Sequence, residues 1–530
     1  VMQFRGFTVL AELALRSDRF RIPVWALAIA GFTALTASSY ATLFPDAAAR
    51  AARAELVSSP AATALAGPGY GLDDYTLGAM VANEIGAMAM VAAAVMSVLL
   101  TTRHLRGEEE SGRSELVLAG VVGRFAPIGA GLAASVVANV FVALSLAIGL
   151  LVAGVPPGGG VVLAASVFVV GLVFTGTAAL LCQFTEHART AVGVGLGAVA
   201  LAYLLRAVGD VRAKESGSVL SWLSPIGWGQ ATRAWVDTRW WPLALGLLVS
   251  VGLVGATYVA ARSRDLGAGI LRPRRGRAEA SPRLDGIAAL ALREQRGILL
   301  SWGLGVLALA VPVGALGQQI STFLEQDPTL TTMLPGGVDS AADGAYALYV
   351  VFLAILAAMY AAAGVSLVRS EEEAGRAGQT LAGPVARVRW LGEQAAVIAC
   401  GAVVVVLVAG AGMGITAAAT LSDGGAFLRL LGAAANSVPA VLVVTAVAVA
   451  VYGWAPRAFP VVWGYLGYVL VVGMFDEVLP GWFAAASPFH HTPALPAADV
   501  RVLPLLALFL VAVALTAAGL AGFQRRDLTR

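Results

Sequence analysis

Two acidic triplets carry the most distinctive chemistry in this chain. Glu108-Glu109-Glu110 runs on through Ser111, Gly112, Arg113, Ser114 and Glu115, and Glu371-Glu372-Glu373 runs on through Ala374, Gly375 and Arg376. Each is followed by an apolar stretch, Leu118-Ala119-Gly120 in one case and Leu381-Ala382-Gly383 in the other. Glu and Leu at these spacings suit a short amphipathic helix lying along a membrane surface. Its acidic face is then open to an Arg- or Lys-lined groove on another protein. A capped, solvated loop is the plainer reading of either triplet alone. The recurrence of the whole pattern within one chain favours the first.

Other candidate residues are sparse. Asn83 and Glu84 fall within the outer part of an apolar segment, where a carboxylate is costly and often functional. Glu84 either faces a central pathway or sits at the outer water boundary. Trp222, Trp228, Trp482 and Phe489 lie in two long outer segments, 207–240 and 476–501, rich in Trp, Pro and Gly. Trp at such a boundary is ordinarily an aromatic belt, and the other reading is a short closure over the outer end of a pathway. His490-His491 has no acidic partner at ligand spacing and is a weak metal candidate. Asn139 and Asn436 are expected to bridge helices. The glycine runs 193–197 and 410–414 lie in apolar segments, where close helix packing explains them better than nucleotide binding. Neither Gly-x-Ser-x-Gly nor His-Glu-x-x-His occurs. Cys182 and Cys400 read as small apolar residues. Lys214 is the one lysine in the chain, and its context Ala213-Lys214-Glu215 excludes a phosphate loop, which needs Gly-Lys-Ser/Thr. If ATP drives this protein, another chain binds it.

The elements that hold these residues follow from composition. Of 530 residues 58% are hydrophobic and 13% charged, and mean hydropathy is +0.81. A soluble domain carries about 25% charge, so the chain reads as an all-α polytopic membrane protein. Apolar segments long enough for a bilayer stand at about 23–45, 78–102, 125–154, 161–184, 188–206 and 241–261. A second set stands at about 298–324, 344–368, 391–421, 433–454, 459–475 and 502–523. The fifth and eleventh are the shortest. With the N-terminus placed in the cytoplasm, 26 of the 35 Lys and Arg residues fall inside and Asp and Glu divide evenly. The positive-inside rule therefore puts both termini in the cytoplasm. No cleavable leader is expected from the first residues, and the Arg-for-Lys bias points to a GC-rich, actinobacterial type of genome.

The triplets belong to an internal repeat. Arg124 recurs as Arg387 and Ser224-Pro225 as Ser487-Pro488, all at the same offset as the triplets. Arg264-Asp265-Leu266 recurs as Arg526-Asp527-Leu528, and Leu13-Ala14-Leu15-Arg16 as Leu290-Ala291-Leu292-Arg293. The reading is two tandem six-helix units, 1–262 and 286–530, joined by a basic linker, 263–285. That linker contains Arg272-Pro273-Arg274-Arg275-Gly276-Arg277, read as a positive-inside anchor. An even number of helices gives both units the same orientation. Basic amphipathic segments at about 4–22 and 284–297 lead into each unit.

The segment from Glu108 through Gly112, Arg113 and Glu115 resembles the coupling helix of type-2 ABC exporter permeases. Glu371, Glu372, Glu373, Gly375 and Arg376 repeat it, with Gly378 standing where Glu115 stands. The likeness covers essentially the whole chain and is closest to fused actinobacterial polyketide or multidrug antibiotic exporters of the tetronasin type. It implies a permease that is not itself an enzyme. Two copies of a separate ATP-binding subunit would hold ATP and Mg and dock on the two acidic segments, with no cofactor in this chain. It further implies a hydrophobic small-molecule cargo, a plasma-membrane location among lipids, and no nucleic-acid partner. A proton-coupled secondary transporter is the alternative, and a membrane-embedded enzyme finds no polar cluster to support it.

Overall fold

The computed structural model describes residues 2–212, 218–271, 279, 281–282, 284–315, 341–475 and 480–527. The Arg272–Arg277 run, Lys214, Leu528 and the seventh apolar segment beyond residue 315 lie outside them. Among the described residues every regular element is helical. That is what a bilayer imposes on a single chain without a closed barrel, because only a helix satisfies its backbone groups internally.

Among the described residues eleven helices are long and apolar enough to span a membrane. In the first half these are Arg21–Leu43, Gly86–Glu110, Ala126–Val152, Pro157–Phe184, Ala188–Arg212 and Trp241–Arg262. In the second half they are Ile287–Ala315, Asp343–Glu373, Arg387–Leu421, Gly425–Trp454 and Val502–Arg525. A shorter apolar helix, Pro460–Gly473, stands where the eleventh segment was expected. The spans are numbered one to twelve below, counting that short helix as the eleventh. The chain divides into two compact units, Val1–Gly276 and Arg277–Arg530, called the first and second halves.

Several spans differ from the bounds expected from sequence. The second is interrupted: Leu77–Glu84 ends at Ile85 and a new helix starts at Gly86. The fifth runs six residues past the expected Arg206, to Arg212. It can do so because Arg206 and Asp210, one turn apart, meet at 3.4 Å and bury each other's charge. The seventh is one continuous helix from Ile287. In the first half the matching entry helix, Phe7–Ser17, is separate from the span beginning at Arg21. Pro23, which lacks an N–H, sits in that span's first turn, a position that tolerates it.

Small and polar residues fix the packing within each half. Asn139 of span three donates to Ser97 of span two at 2.9 Å, and reaches Thr175 of span four at 3.5 Å. It lies so close to Gly171 that a Cβ there would stand 1.8 Å from its Oδ1. The expected bridging role is thus observed. Asn436 instead ties its helix to the carbonyl of Pro493. Of the glycine runs, Gly410, Gly412 and Gly414 each pack against a neighbouring helix, where an added Cβ would stand 2.5, 2.6 and 3.0 Å from its nearest atom. In the other run Gly195 does so against Val98, whereas Gly193 and Gly197 face open space.

Candidate functional site

Each acidic triplet ends span two or span eight and opens an elbow into the next span. In both elbows the chain reverses at a glycine in the left-handed region, Gly112 at φ 74° and Gly375 at φ 75°. Glycine adopts this conformation without steric cost. A short helix follows, Arg113–Leu118 in the first half and Arg376–Leu381 in the second. The two short helices match in burial position by position: Ser114 and Ala377 are buried, Leu118 and Leu381 half-buried, and Arg113 and Arg376 exposed.

The carboxylates are not an open acidic face, and here the sequence reading is corrected. Glu109 and Glu372 turn inward, their side chains 9% and 3% exposed. Glu109 takes Arg264 in a two-pronged pair at 2.5 and 2.9 Å, and also Arg106 at 2.6 Å. Glu372 takes Arg526 in the same way at 2.6 and 2.7 Å, and accepts the Tyr452 hydroxyl at 2.6 Å. The physical reason is that a carboxylate this buried needs a fitted cation, and a planar guanidinium supplies two parallel bonds. The flanking acids are also engaged. Glu108 pairs with Arg113 at 3.0 Å and Glu371 with Arg376 at 2.5 Å. Glu110 accepts the N–H of Ala188 at 2.9 Å and meets His187, and Glu373 meets Arg369 at 2.7 Å.

A second tie closes each elbow from its far side. Arg124 donates to the carbonyls of Ala261 and Arg264 at 2.9 and 2.8 Å. Arg387 donates to the carbonyl of Arg526 at 2.8 Å. Three motifs that repeat separately along the chain therefore converge in space. In each half the elbow is gripped before and after its short helix by the end of that half's last span. Further bonds steady the arginines: Arg264 Nε donates to Gln183 at 2.8 Å, and Arg526 Nε to the Gly453 carbonyl at 3.1 Å. Burial opposes the charge on Arg526, but the bonds and charge of Glu372 outweigh it and raise the guanidinium pKa above its ordinary value. In the first half a cavity of about 270 Å³ opens beside this cluster, lined by Glu109, Leu118, Arg124, Arg264 and Leu266.

The entry helix joins the same region of the first half. Asp18, buried at its end, contacts both Arg103 and His104 of span two. Burial disfavours the Asp18 carboxylate, yet His104 and Arg103 together hold its pKa below the usual value. At the repeat offset of the entry segments the second half has Gln295, which donates to the Gly364 carbonyl at 3.1 Å. The charged tie of the first half is thus neutral in the second.

The outer candidates do not form one site. Glu84 faces neither of the settings considered for it. Its carboxylate meets Arg53 at 2.6 Å and accepts the hydroxyls of Tyr40 and Tyr75 at 3.0 and 3.2 Å. This pins the outer helix Ala47–Val57. Asn83 bonds the backbone of Tyr70. Trp222 stacks on Trp241 at 5.0 Å, and its carbonyl accepts the Trp228 indole N–H at 2.7 Å. Trp222 also lines a cavity of about 100 Å³ with Tyr70, Asp210, Arg233 and Trp241. That is below the roughly 300 Å³ at which drug-sized pockets begin. Trp482 is 81% exposed, whereas Phe489 is buried. His490 and His491 touch edge to face, and no metal-holding group of three ligands occurs among the described residues.

Sequence reasoning missed the partners. Arg106, Arg264 and Arg526 were not singled out as site residues, nor was the Arg206–Asp210 pair. The shared offset of the Glu, Arg124 and Arg264 repeats was the available signal.

These features define a multi-pass, all-helical membrane protein in which each half carries an elbow fixed to its last span. Residues 284–524 match the family model described as the C-terminal domain of the multidrug efflux system permease Rv1217c. The whole chain is 34% identical, over 533 residues, to the multidrug efflux system permease protein Rv1217c of Mycobacterium tuberculosis (strain ATCC 25618 / H37Rv), covering 99% of this chain and 95% of that protein. The chain therefore belongs to the Rv1217c family of efflux permeases, multi-pass proteins of the plasma membrane.

Proposed function

We propose that this chain is the membrane-spanning subunit of an ATP-driven exporter of amphiphilic or hydrophobic compounds, drugs and antibiotics among them. Two copies of a separate ATP-binding subunit, holding ATP and Mg, dock on the cytoplasmic elbows. Closure of that pair on ATP pushes the short helices Arg113–Leu118 and Arg376–Leu381. Glu109 and Glu372 are not docking groups in this scheme. They and Arg124 and Arg387 fasten each elbow to its last span, so a push on the elbow moves a whole helix. The observation that carries the reading is the recurrence of one elbow geometry in both halves, down to the glycine φ and the buried Glu–Arg pair. The name of the 34% identical relative supports efflux and a multidrug cargo.

A proton-coupled transporter is less well supported, because such proteins place an exchangeable carboxylate on the pathway. Glu84, the acid expected there, is bound to Arg53 and two tyrosines. The test is charge reversal at the exposed elbow positions, Arg113→Glu, Glu115→Arg and Arg376→Glu together. The expected result is loss of co-purification with the ATP-binding subunit and of transport-stimulated ATP hydrolysis, with the permease still folded. Unchanged hydrolysis, or efflux that survives ATP depletion and collapses with the proton gradient, would overturn the proposal.

A further inference from the structure

The two elbows share a backbone and a burial pattern but present different outward surfaces. In each short helix the residues spaced three or four apart on one face turn toward the protein. In the first half these are Ser114, Val117 and Leu118, and in the second Ala377, Thr380 and Leu381. The opposite face is where the halves diverge. The first half shows Glu115 and Leu116, then Val121 just beyond the helix, with Leu116 78% and Val121 72% exposed. At the same offsets the second half shows Gly378, Gln379 and Pro384, all exposed. One elbow thus carries two apolar side chains beside a carboxylate, and the other carries none of the three.

An exposed Leu and Val next to a charge is the composition of an interface anchor with its polar rim. Lipid is the competing occupant, and the repeat argues against it. Both elbows leave the end of the corresponding span, turn at the same glycine φ, and bury the same positions. Immersion in headgroups would ask for apolar residues in both, yet the second half has Gln379 and Pro384 there. The flanking Glu115 also forms no side-chain ion pair among the described residues, so its charge is left for a partner cation.

We infer that the elbows are unequal docking sites, and that the first half is the anchor for the ATP-binding subunit. This rests on the proposed function above. The partner surface is an apolar groove that takes Leu116 and Val121, with a basic residue beside it for Glu115. A second identical ATP-binding subunit meets Gly378 and Gln379 instead, and is held less tightly. Assembly therefore proceeds from the first elbow to the second.

The experiment measures binding of the purified ATP-binding subunit that restores ATP-dependent transport to the full-length permease in lipid nanodiscs. If no such subunit exists, the proposed function fails and this inference falls with it. Given that subunit, Leu116→Gln is expected to weaken the tighter of two binding steps at least about tenfold, as loss of a central anchor does. Gln379→Ala is expected to change neither step more than about twofold, and Gln379→Leu to tighten the weaker one. Leu116→Met, which keeps the apolar volume, is expected to bind as the parent does and controls for misfolding. Two equal binding steps in the parent, or equal losses from Leu116→Gln and Gln379→Ala, overturn the inference while leaving ATP-driven export standing. So does a Leu116→Gln variant whose only defect is poorer membrane insertion, which assigns Leu116 to lipid.

Discussion

Removing the arginine from each elbow clamp is expected to have unequal effects, although the two clamps are repeats. In the second half Arg526 pairs with the Glu372 carboxylate at 2.6 and 2.7 Å, with Tyr452 adding a neutral hydroxyl. Arg526→Gln strips the two-pronged cation from a carboxylate only 3% exposed, against 9% for Glu109. Breaking a buried pair from one side costs about 3–5 kcal/mol. In the first half Arg264→Gln leaves Glu109 still facing Arg106 at 2.6 Å. There the loss is that of hydrogen bonds to a charged group, about 1.5–3 kcal/mol. Thermal unfolding of the purified permease in detergent should therefore shift roughly twice as far for Arg526→Gln as for Arg264→Gln. The double variant Glu372→Gln with Arg526→Gln removes both charges, and should recover a substantial part of the single-variant loss. A non-additive cycle in the second half beside a milder effect in the first is the expected pattern. Equal shifts for the two arginines, or an additive cycle at Glu372 and Arg526, would refute the reasoning.

Further predictions concern the turns, the entry helix and the outer tie. Gly112→Ala and Gly375→Ala introduce a side chain where φ is 74° and 75° and nothing lies within 4 Å. Each should cost about 1–2 kcal/mol of backbone strain alone, read as a small drop in thermal stability with the elbow contacts intact. The Asp18 pKa is lowered in the folded protein, so its contribution is present above the ordinary carboxylate range and is lost as pH falls through the lowered value. Stability of the entry helix should then fall in the parent as pH is lowered through the carboxylate range, and this fall should be absent in Asp18→Asn, as read by protease cleavage near Ser17. Arg53→Ala should release the outer helix Ala47–Val57, measured as faster hydrogen exchange there. It should leave the pH dependence of efflux unchanged, because Glu84 serves as a tie and not as a proton carrier.

The spans were legible because a bilayer demands long apolar runs, and each of the twelve expected segments is mostly helical in its described part. Their ends were less so. The fifth span continues through Arg206 and Asp210 because the two charges neutralise each other inside the helix, which hydropathy counts as a break. The elbows were legible as repeated text, but their orientation was not. A triplet of glutamates reads as an exposed acidic face until Arg264, 155 residues away from Glu109, claims the middle one. The pairing partners stood in the list of repeats, yet a single sequence gives no rule for which repeated motif meets which. Glu84 illustrates the same gap, since Arg53 is 31 residues distant on a helix outside the spans.

Both partners of each clamp lie in the same half. Glu109 and Arg264 stand before the linker's Arg272–Arg277 run, and Glu372 and Arg526 after it. A cut through that run would divide the chain without parting either pair. Two co-expressed fragments should each keep an intact elbow, which makes this permease a natural candidate for a split reporter of subunit assembly. Each half-length fragment thus holds its own Glu–Arg clamp complete.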